Sequence, residues 1–171
     1  MKLNWLSKIN ASEIYFASDH AGFLLKDFLI KEFEKAKINS KNGEKIRIID
    51  LGCDDEKISV DYPDYAKKLA SKMPKFDNEN QAIDIVDNFG ILICGTGVGI
   101  SIGANRYHHL RSALCNKVAV AKLARQHNNA NVLCLGARVI KPNNALAISK
   151  AFLTTKFLGC RHESRIIKLS S

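Results

Sequence analysis

The chain has 171 residues, 46% of them hydrophobic, and its 26 Lys and Arg against 17 Asp and Glu give a formal charge of +9. A chain of this length and hydrophobic content fits one globular domain that buries roughly 70% of its extended surface, so residues 1–171 are one domain by expectation. Scattered lysines and an aromatic content of only 8% argue against a stacking surface for nucleic acid, so the positive charge suits either a solvated basic face or a phosphorylated small molecule.

In chain order, Ile14–Ser18 reads as a first strand and Gly22–Lys35 as a helix, with Phe23, Leu24, Phe28 and Phe33 near helical spacing. Ile46–Leu51 is a second strand. A helix over about Asp64–Met73 follows Tyr62-Pro63, because proline suits the first position of a helix. The polar stretch Pro74–Asn80 is a loop, and Gln81–Asn88 a short helical approach to a third strand, Gly90–Cys94. From there the spacing predicts a helix over Val98 to about Tyr107, a strand over Arg111–Cys115 and a helix over Val118–Gln126. A fifth strand, Val132–Leu135, leads into a helix over Asn143–Phe152.

Strand and helix alternate throughout. Parallel strands need crossover connections and those crossovers are right-handed, so the pattern predicts a doubly wound α/β fold with helices on both faces of a parallel sheet. Ligands of open α/β sheets sit beyond the carboxyl ends of the strands. That rule singles out Asp19-His20, Gly52-Cys53-Asp54, Cys94 to Gly99, Asn116 and Gly136-Ala137-Arg138.

Among these, Gly90 to Ser101 carries the strongest signal: an apolar strand ending in Cys94, three alternating glycines at 95, 97 and 99, then a helix start. Glycines let backbone N–H groups approach a ligand, and a helix N-terminus favours an anion there. The spacing is not the dinucleotide G-x-G-x-x-G, and no G-K-[ST] phosphate loop is present. A tightly packed helix entry is the plainer alternative. Asp19 either caps the next helix or reaches a ligand beside His20, and Tyr62 either packs in the core or lines a pocket.

Arg125-Gln126-His127-Asn128-Asn129 closes a helix, where cations and asparagine suit the dipole and the C-cap; that placement turns His127 away from its own sheet, so a catalytic role needs a partner subunit or a fold-back. Near the end of the chain, Arg161 and Arg165 stand at i and i+4, which on one helix face puts their Cβ atoms about 5–6 Å apart. Paired guanidinium forks suit a phosphate, and Arg138 strengthens that reading over a solvated basic tail.

Five cysteines at 53, 94, 115, 134 and 160 form no C-x-x-C pair, so neither a disulfide framework nor a metal site follows, and Cys115 and Cys134 read as buried small hydrophobes. There is no apolar stretch of about 18 residues and no signal-peptide core over Met1–Ser12, so the expectation is a reducing, cytoplasmic home without a membrane partner.

Taken together, Asp19-His20-Ala-Gly, Asp61-Tyr62-Pro, Cys94-Gly-Thr-Gly-Val-Gly-Ile-Ser, Ala104-Asn105-Arg106, Arg125-Gln-His127-Asn128, Gly136-Ala-Arg138 and Arg161-His resemble ribose 5-phosphate isomerase type B, in order, from about Ile14 to Ile167. The wider family includes isomerases of allose 6-phosphate and galactose 6-phosphate. The resemblance implies a three-layer, Rossmann-like five-stranded parallel sheet with a C-terminal helical extension, and a homodimer or homotetramer with shared active sites. It also implies an aldose–ketose isomerase of the non-oxidative pentose phosphate reactions, acting on ribose 5-phosphate and ribulose 5-phosphate.

By the same resemblance, Cys94 is the base that moves a proton between two sugar carbons through a cis-enediolate, and His127 opens the sugar ring across a dimer interface with Thr96 assisting. Asp19, His20 and Asn128 hold the sugar and Arg138, Arg161 and Arg165 the phosphate; beside the resemblance, Tyr62 is a candidate to line the substrate pocket, and the backbone N–H groups of Gly95, Gly97, Val98 and Gly99 suit the negative enediolate oxygen on physical grounds. Another branch of the family lacks the cysteine and has a glutamate where Ile100 stands, so this chain resembles the cysteine branch. A free thiol has a pKa of about 8.5, which leaves only a few per cent thiolate near neutrality, and a helix N-terminus and loop amides can lower it. No metal or organic cofactor is required by that chemistry. Three departures from the family pattern are a long Ser71–Asp87 connection, an N-terminal extension over Met1–Ala11, and His108-His109 before the fourth strand. A six-carbon sugar phosphate substrate, or a non-catalytic module binding phosphosugars or nucleic acid, are the competing readings.

Overall fold

In the computed structural model, which describes residues 9, 11–36, 45–75 and 87–170, the apolar runs pair into one five-stranded, all-parallel sheet. The strands are β1 (Glu13–Ser18), β2 (Arg47–Asp50), β3 (Asn88–Cys94), β4 (Ser112–Leu114) and β5 (Val132–Gly136), in the spatial order β2-β1-β3-β5-β4. Between and after them run α1 (Phe23–Lys35), α2 (Tyr62–Lys72), α3 (Val98–Ala104), α4 (Val118–Asn128), α5 (Pro142–Thr154) and α6 (Glu163–Ser170). The expected three-layer doubly wound architecture is the observed one.

Period-two alternation in the central strands builds two cores at once. Ile14 and Phe16 of β1, Ile91 and Ile93 of β3, and Leu133 and Leu135 of β5 face α1, α4 and α5. Their neighbours Tyr15, Ala17, Leu92, Cys94, Val132 and Cys134 face α2 and α3. Burial on both faces is what makes these strands near-continuous apolar runs. On α1 the buried stripe is Leu25, Leu29 and Phe33, spaced by four; Leu24, expected on that face, is 62% exposed, because the stripe starts one residue later than the Phe23-Leu24 pair suggests.

Several helix ends differ from expectation for visible reasons. The second helix begins at Tyr62, taking Pro63 into its first turn. α3 stops at Ala104, short of Tyr107, because the Asn105 side chain turns to β4: its Nδ2 donates to the Ser112 carbonyl at 3.0 Å and its Oδ1 accepts the Ser112 N–H at 2.8 Å. α4 runs on through His127 and Asn128 to a left-handed Asn129 at φ 44°, a conformation asparagine tolerates. Asn88, expected in a helical approach, opens β3, and residues 76–86, which hold most of that approach and of the preceding loop, lie outside the described residues. Arg161 and Arg165 fall in two elements, a 3-10 turn over Cys160–His162 and α6, rather than on one α-helix.

The strand order fixes where a ligand goes. β1 connects outward to β2, and the chain then crosses back to β3 on the other side of β1, so the carboxyl ends of β1 and β3 flank a topological switch point. Asp19-His20 and Cys94 to Gly99 are the residues that emerge there.

Candidate active site

Cys94 ends β3 at the carboxyl rim and is 4% exposed. The chain then turns through Gly95, exposed Thr96 and left-handed Gly97 at φ 80° into α3. That turn points the Gly97 N–H at the sulfur, which accepts it at 3.1 Å. An anionic sulfur is the stronger acceptor of such a bond.

Two side chains cross the glycine turn. A Cβ on Gly99 would lie 2.6 Å from the Tyr62 ring, and one on Gly95 3.4 Å from the Arg138 guanidinium, so both side chains lie over the loop. Arg138 is held there by its own backbone, whose N–H donates to the Gly95 carbonyl at 2.9 Å, and the preceding Ala137 N–H binds the Cys94 carbonyl at 2.9 Å. Val98, 48% exposed, opens α3, and its N–H reaches Thr96 Oγ1 at 3.4 Å. Beside β3, Asp19 caps the short turn His20–Gly22 through Oδ1, which accepts the Gly22 N–H at 3.0 Å. The Val60 N–H donates to His20 Nδ1 at 3.2 Å, which orients the half-buried ring toward the α2 entry.

The remaining candidates stand at the opposite rim. α4 runs from the carboxyl end of β4 to the amino end of β5, so His127 and Asn128 in its last turn precede β5, whereas Arg138 follows it. Five strand residues separate these ends, about 17 Å at 3.3–3.4 Å per residue. The C-terminal segment is pinned to the same rim: the Leu158 N–H donates to the Gln126 carbonyl at 3.1 Å, and the His162 ring stacks on His127 with centroids 4.5 Å apart and planes within 10°. Arg161 and Arg165 flank His162, and burial, then His127 and the two arginines, push its pKa down. Asn128 also lines a cavity of about 400 Å³ with Asn105, Arg111, Ser112 and Leu169.

One chain therefore brings together Asp19, His20, Tyr62, Cys94, Gly95, Thr96, Gly97, Val98, Gly99 and Arg138, and separately His127, Asn128, Arg161 and Arg165. Arg125, next to them in sequence, is a framework residue. Its guanidinium lies 5.0 Å from the Phe89 ring and 5.8 Å from Phe152, and Nη1 donates to Asn129 Oδ1 and the Ala130 carbonyl at 2.9 and 2.6 Å. Burial, with Arg111 adding repulsion, lowers its pKa to about 10. His162 was not assigned a role from the sequence; the signal was its place inside the Arg161 to Arg165 motif. Among the described residues, no three His, Cys, Asp or Glu side chains are grouped to hold a metal ion, and no helix is long and apolar enough to cross a membrane.

An open parallel sheet that carries a thiol, a glycine turn and a guanidinium at its carboxyl rim places the chain among the α/β proteins whose ligand crevice lies beyond the strand ends. The chain belongs to the ribose/galactose isomerase family, whose model matches residues 14–169. It is 36% identical over 154 residues to ribose-5-phosphate isomerase B of Escherichia coli, covering 90% of this chain and 91% of that one. Among solved structures, ribose 5-phosphate isomerase B of Anaplasma phagocytophilum is similar with a TM-score of 0.80 and 40% identity, covering 94% and 98% of the two chains. The Mycoplasma genitalium ribose-5-phosphate isomerase B with bound ribulose-5-phosphate gives a TM-score of 0.77 at 36% identity, covering 92% and 93%.

Proposed function

We propose that the chain is an aldose–ketose isomerase that interconverts ribose 5-phosphate and ribulose 5-phosphate, working as a dimer or a tetramer built from dimers. The observation that carries this reading is the Cys94 sulfur, fixed by the Gly97 amide at the switch point under Tyr62 and Arg138. Relatives across nearly the whole chain bear the name of that enzyme, and one holds the ketose product.

Cys94, as the thiolate, takes the proton from C2 of the open-chain aldose. The electron pair forms the C1=C2 bond and leaves the negative charge on the C1 oxygen; the C2 hydroxyl proton passes to that oxygen, and as the C2 carbonyl forms C1 takes back the proton held by Cys94, which regenerates the thiolate. Negative charge on the enediolate oxygen is met by the loop amides from Gly95 to Gly99; each well-placed donor of this kind is worth about 3 kcal/mol. Asp19, His20 and Tyr62 orient the sugar from the same subunit. Phosphate bound by Arg138 and by Arg161 and Arg165 contributes binding energy remote from the reacting carbons.

Arg161 and Arg165, with His127 and Asn128, belong to the far rim of the sheet, beyond the span of one five-carbon sugar phosphate from Cys94 and Arg138. A second copy supplies them. Exposed apolar side chains support that arrangement: Val98 and Ile102 on α3, Leu114 on β4 and Val118 and Leu123 on α4 are 37–55% exposed. Five free thiols support a reducing, cytoplasmic location.

The test is a side-by-side assay of the purified chain with ribose 5-phosphate, ribulose 5-phosphate and allose 6-phosphate. Turnover of both pentose phosphates with the higher kcat/KM is the expected result. A higher kcat/KM with allose 6-phosphate reassigns the substrate, and salt-sensitive nucleic-acid binding without sugar turnover removes the enzymatic reading.

A further inference from the structure

Opening the furanose ring of ribose 5-phosphate takes one proton from the C1 hydroxyl and gives one to the ring oxygen, as the bond between C1 and that oxygen breaks and the C1 carbonyl forms. The group assigned to this step, His127, sits at a helix end, where a side chain ordinarily has several rotamers. Here it has a flat partner. The His162 ring lies parallel to it at 4.5 Å and 10°, and His162 is 7% exposed.

The partner is itself fixed from several directions. Arg125 Nε donates to the Thr155 carbonyl at 3.3 Å and the Leu158 N–H to the Gln126 carbonyl at 3.1 Å, tying the segment after α5 to the last turn of α4. The His162 N–H donates to the Gly159 carbonyl at 3.2 Å, and Glu163 Oε1 accepts the Cys160 N–H at 3.0 Å, which closes the turn that carries the ring. Ile166, fully buried, anchors α6 behind it.

We propose that His162 is a positioning residue for ring opening: its stacked imidazole holds the plane of His127 so that an edge nitrogen, rather than the ring face, meets the sugar. This inference rests on the isomerase reading and adds a residue to it. A stack of two imidazolium cations is repulsive, so the arrangement is best with His162 neutral. Burial beside His127, Arg161 and Arg165 favours that form by lowering its pKa.

Interchange of the two anomers separates this role from a merely structural one. In a Cys94→Ala background the proton transfer between the two sugar carbons is blocked while the ring can still open and close, and each opening lets the α and β anomers of ribose 5-phosphate interchange. The Cys94→Ala chain is expected to speed that interchange, read by exchange NMR, above its rate in solution. Adding His162→Ala is expected to cut the enzyme's share about tenfold or more with the affinity for ribose 5-phosphate little changed, and adding His162→Phe instead, which keeps a flat ring and removes the ring nitrogens, to restore it to near the Cys94→Ala value. A Cys94→Ala chain that leaves the interchange at its solution rate, no loss with His162→Ala, or a Phe variant as impaired as the Ala variant would each overturn the proposal; the last would place a proton of His162 itself in the step. If the Ala variant does not fold, the Phe variant alone decides by the same criterion. A wild-type chain inactive on both pentose phosphates removes the isomerase reading, and this inference with it.

Discussion

At the carboxyl rim each contact that shapes the site uses a main-chain N–H as donor, whereas at the amino rim side-chain rings and a guanidinium carry most of the contacts. Gly97 N–H to Cys94 Sγ, Arg138 N–H to the Gly95 carbonyl and Gly22 N–H to Asp19 Oδ1 fix the first; the His127–His162 stack and the Arg125 fork between Phe89 and Phe152 fix the second. Backbone-built sites need glycine at set positions and tolerate almost nothing else there, while side-chain-built sites depend on contacts between residues far apart in sequence. The chemistry divides in the same way: the proposed proton-transfer base lies on the backbone-built rim, and the ring-opening and phosphate groups lie mainly on the other.

The largest effect is expected from Cys94→Ala, which removes the base. Turnover in both directions falls ~10³-fold or more, with the circular dichroism spectrum unchanged; activity within tenfold of wild type in this variant excludes Cys94 as the base. Gly136→Ala probes the backbone architecture, because its Cβ would lie 2.5 Å from the Thr96 carbonyl oxygen. Forced repacking of this kind costs about 2 kcal/mol, to be read as a lower urea midpoint together with reduced kcat. A variant as stable and active as wild type shows that the turn yields more readily than the contact implies.

Arg165→Ala, on the side-chain rim, is expected to raise KM about tenfold, equivalent to about 1.4 kcal/mol, with a smaller change in kcat; a loss confined to kcat contradicts its assignment to phosphate. The smallest effect concerns the thiols that the chemistry does not use. Burial raises Cys134 to about 12 and Cys115 to about 11. Both keep their protons longer when folded, so the stability they contribute is intact below the unfolded value of about 8.5 and is lost as pH rises through the folded values. The urea midpoint should therefore fall from pH 8.5 to pH 11, less steeply in Cys134→Ala; equal slopes in the two proteins would remove Cys134 from the account.

The comparison of rims also explains what the sequence made legible. Alternating apolar strands and amphipathic helices are local patterns, and so are three glycines after an apolar run; both could be read directly, and Cys94 with its turn is where they place it. Strand order is not local. Nothing in the spacing says that β5 inserts between β3 and β4, and it is this order that sets the switch point between β1 and β3. The end of α3 depends on Asn105 pairing with Ser112 across a turn, and the role of Arg125 on two phenylalanines, one 36 residues before it and one 27 after it. His127 illustrates the limit most clearly: its helix-end position was readable, but its partner His162, 35 residues on, became visible only when the C-terminal segment folded back onto α4.

The central claim, that one active site is assembled from the carboxyl rim of one subunit and the amino rim of another, is tested most directly by mixing two inactive variants. Cys94→Ala and His127→Ala each spoil every site in their own homodimer, but a hybrid dimer places both substitutions in one site and leaves the other intact. After unfolding and refolding together in equal amounts, half the dimers are hybrids, and about a quarter of wild-type activity is expected to return. A mixture that stays as inactive as its components, with hybrid dimers demonstrated by mass, would contradict the shared site.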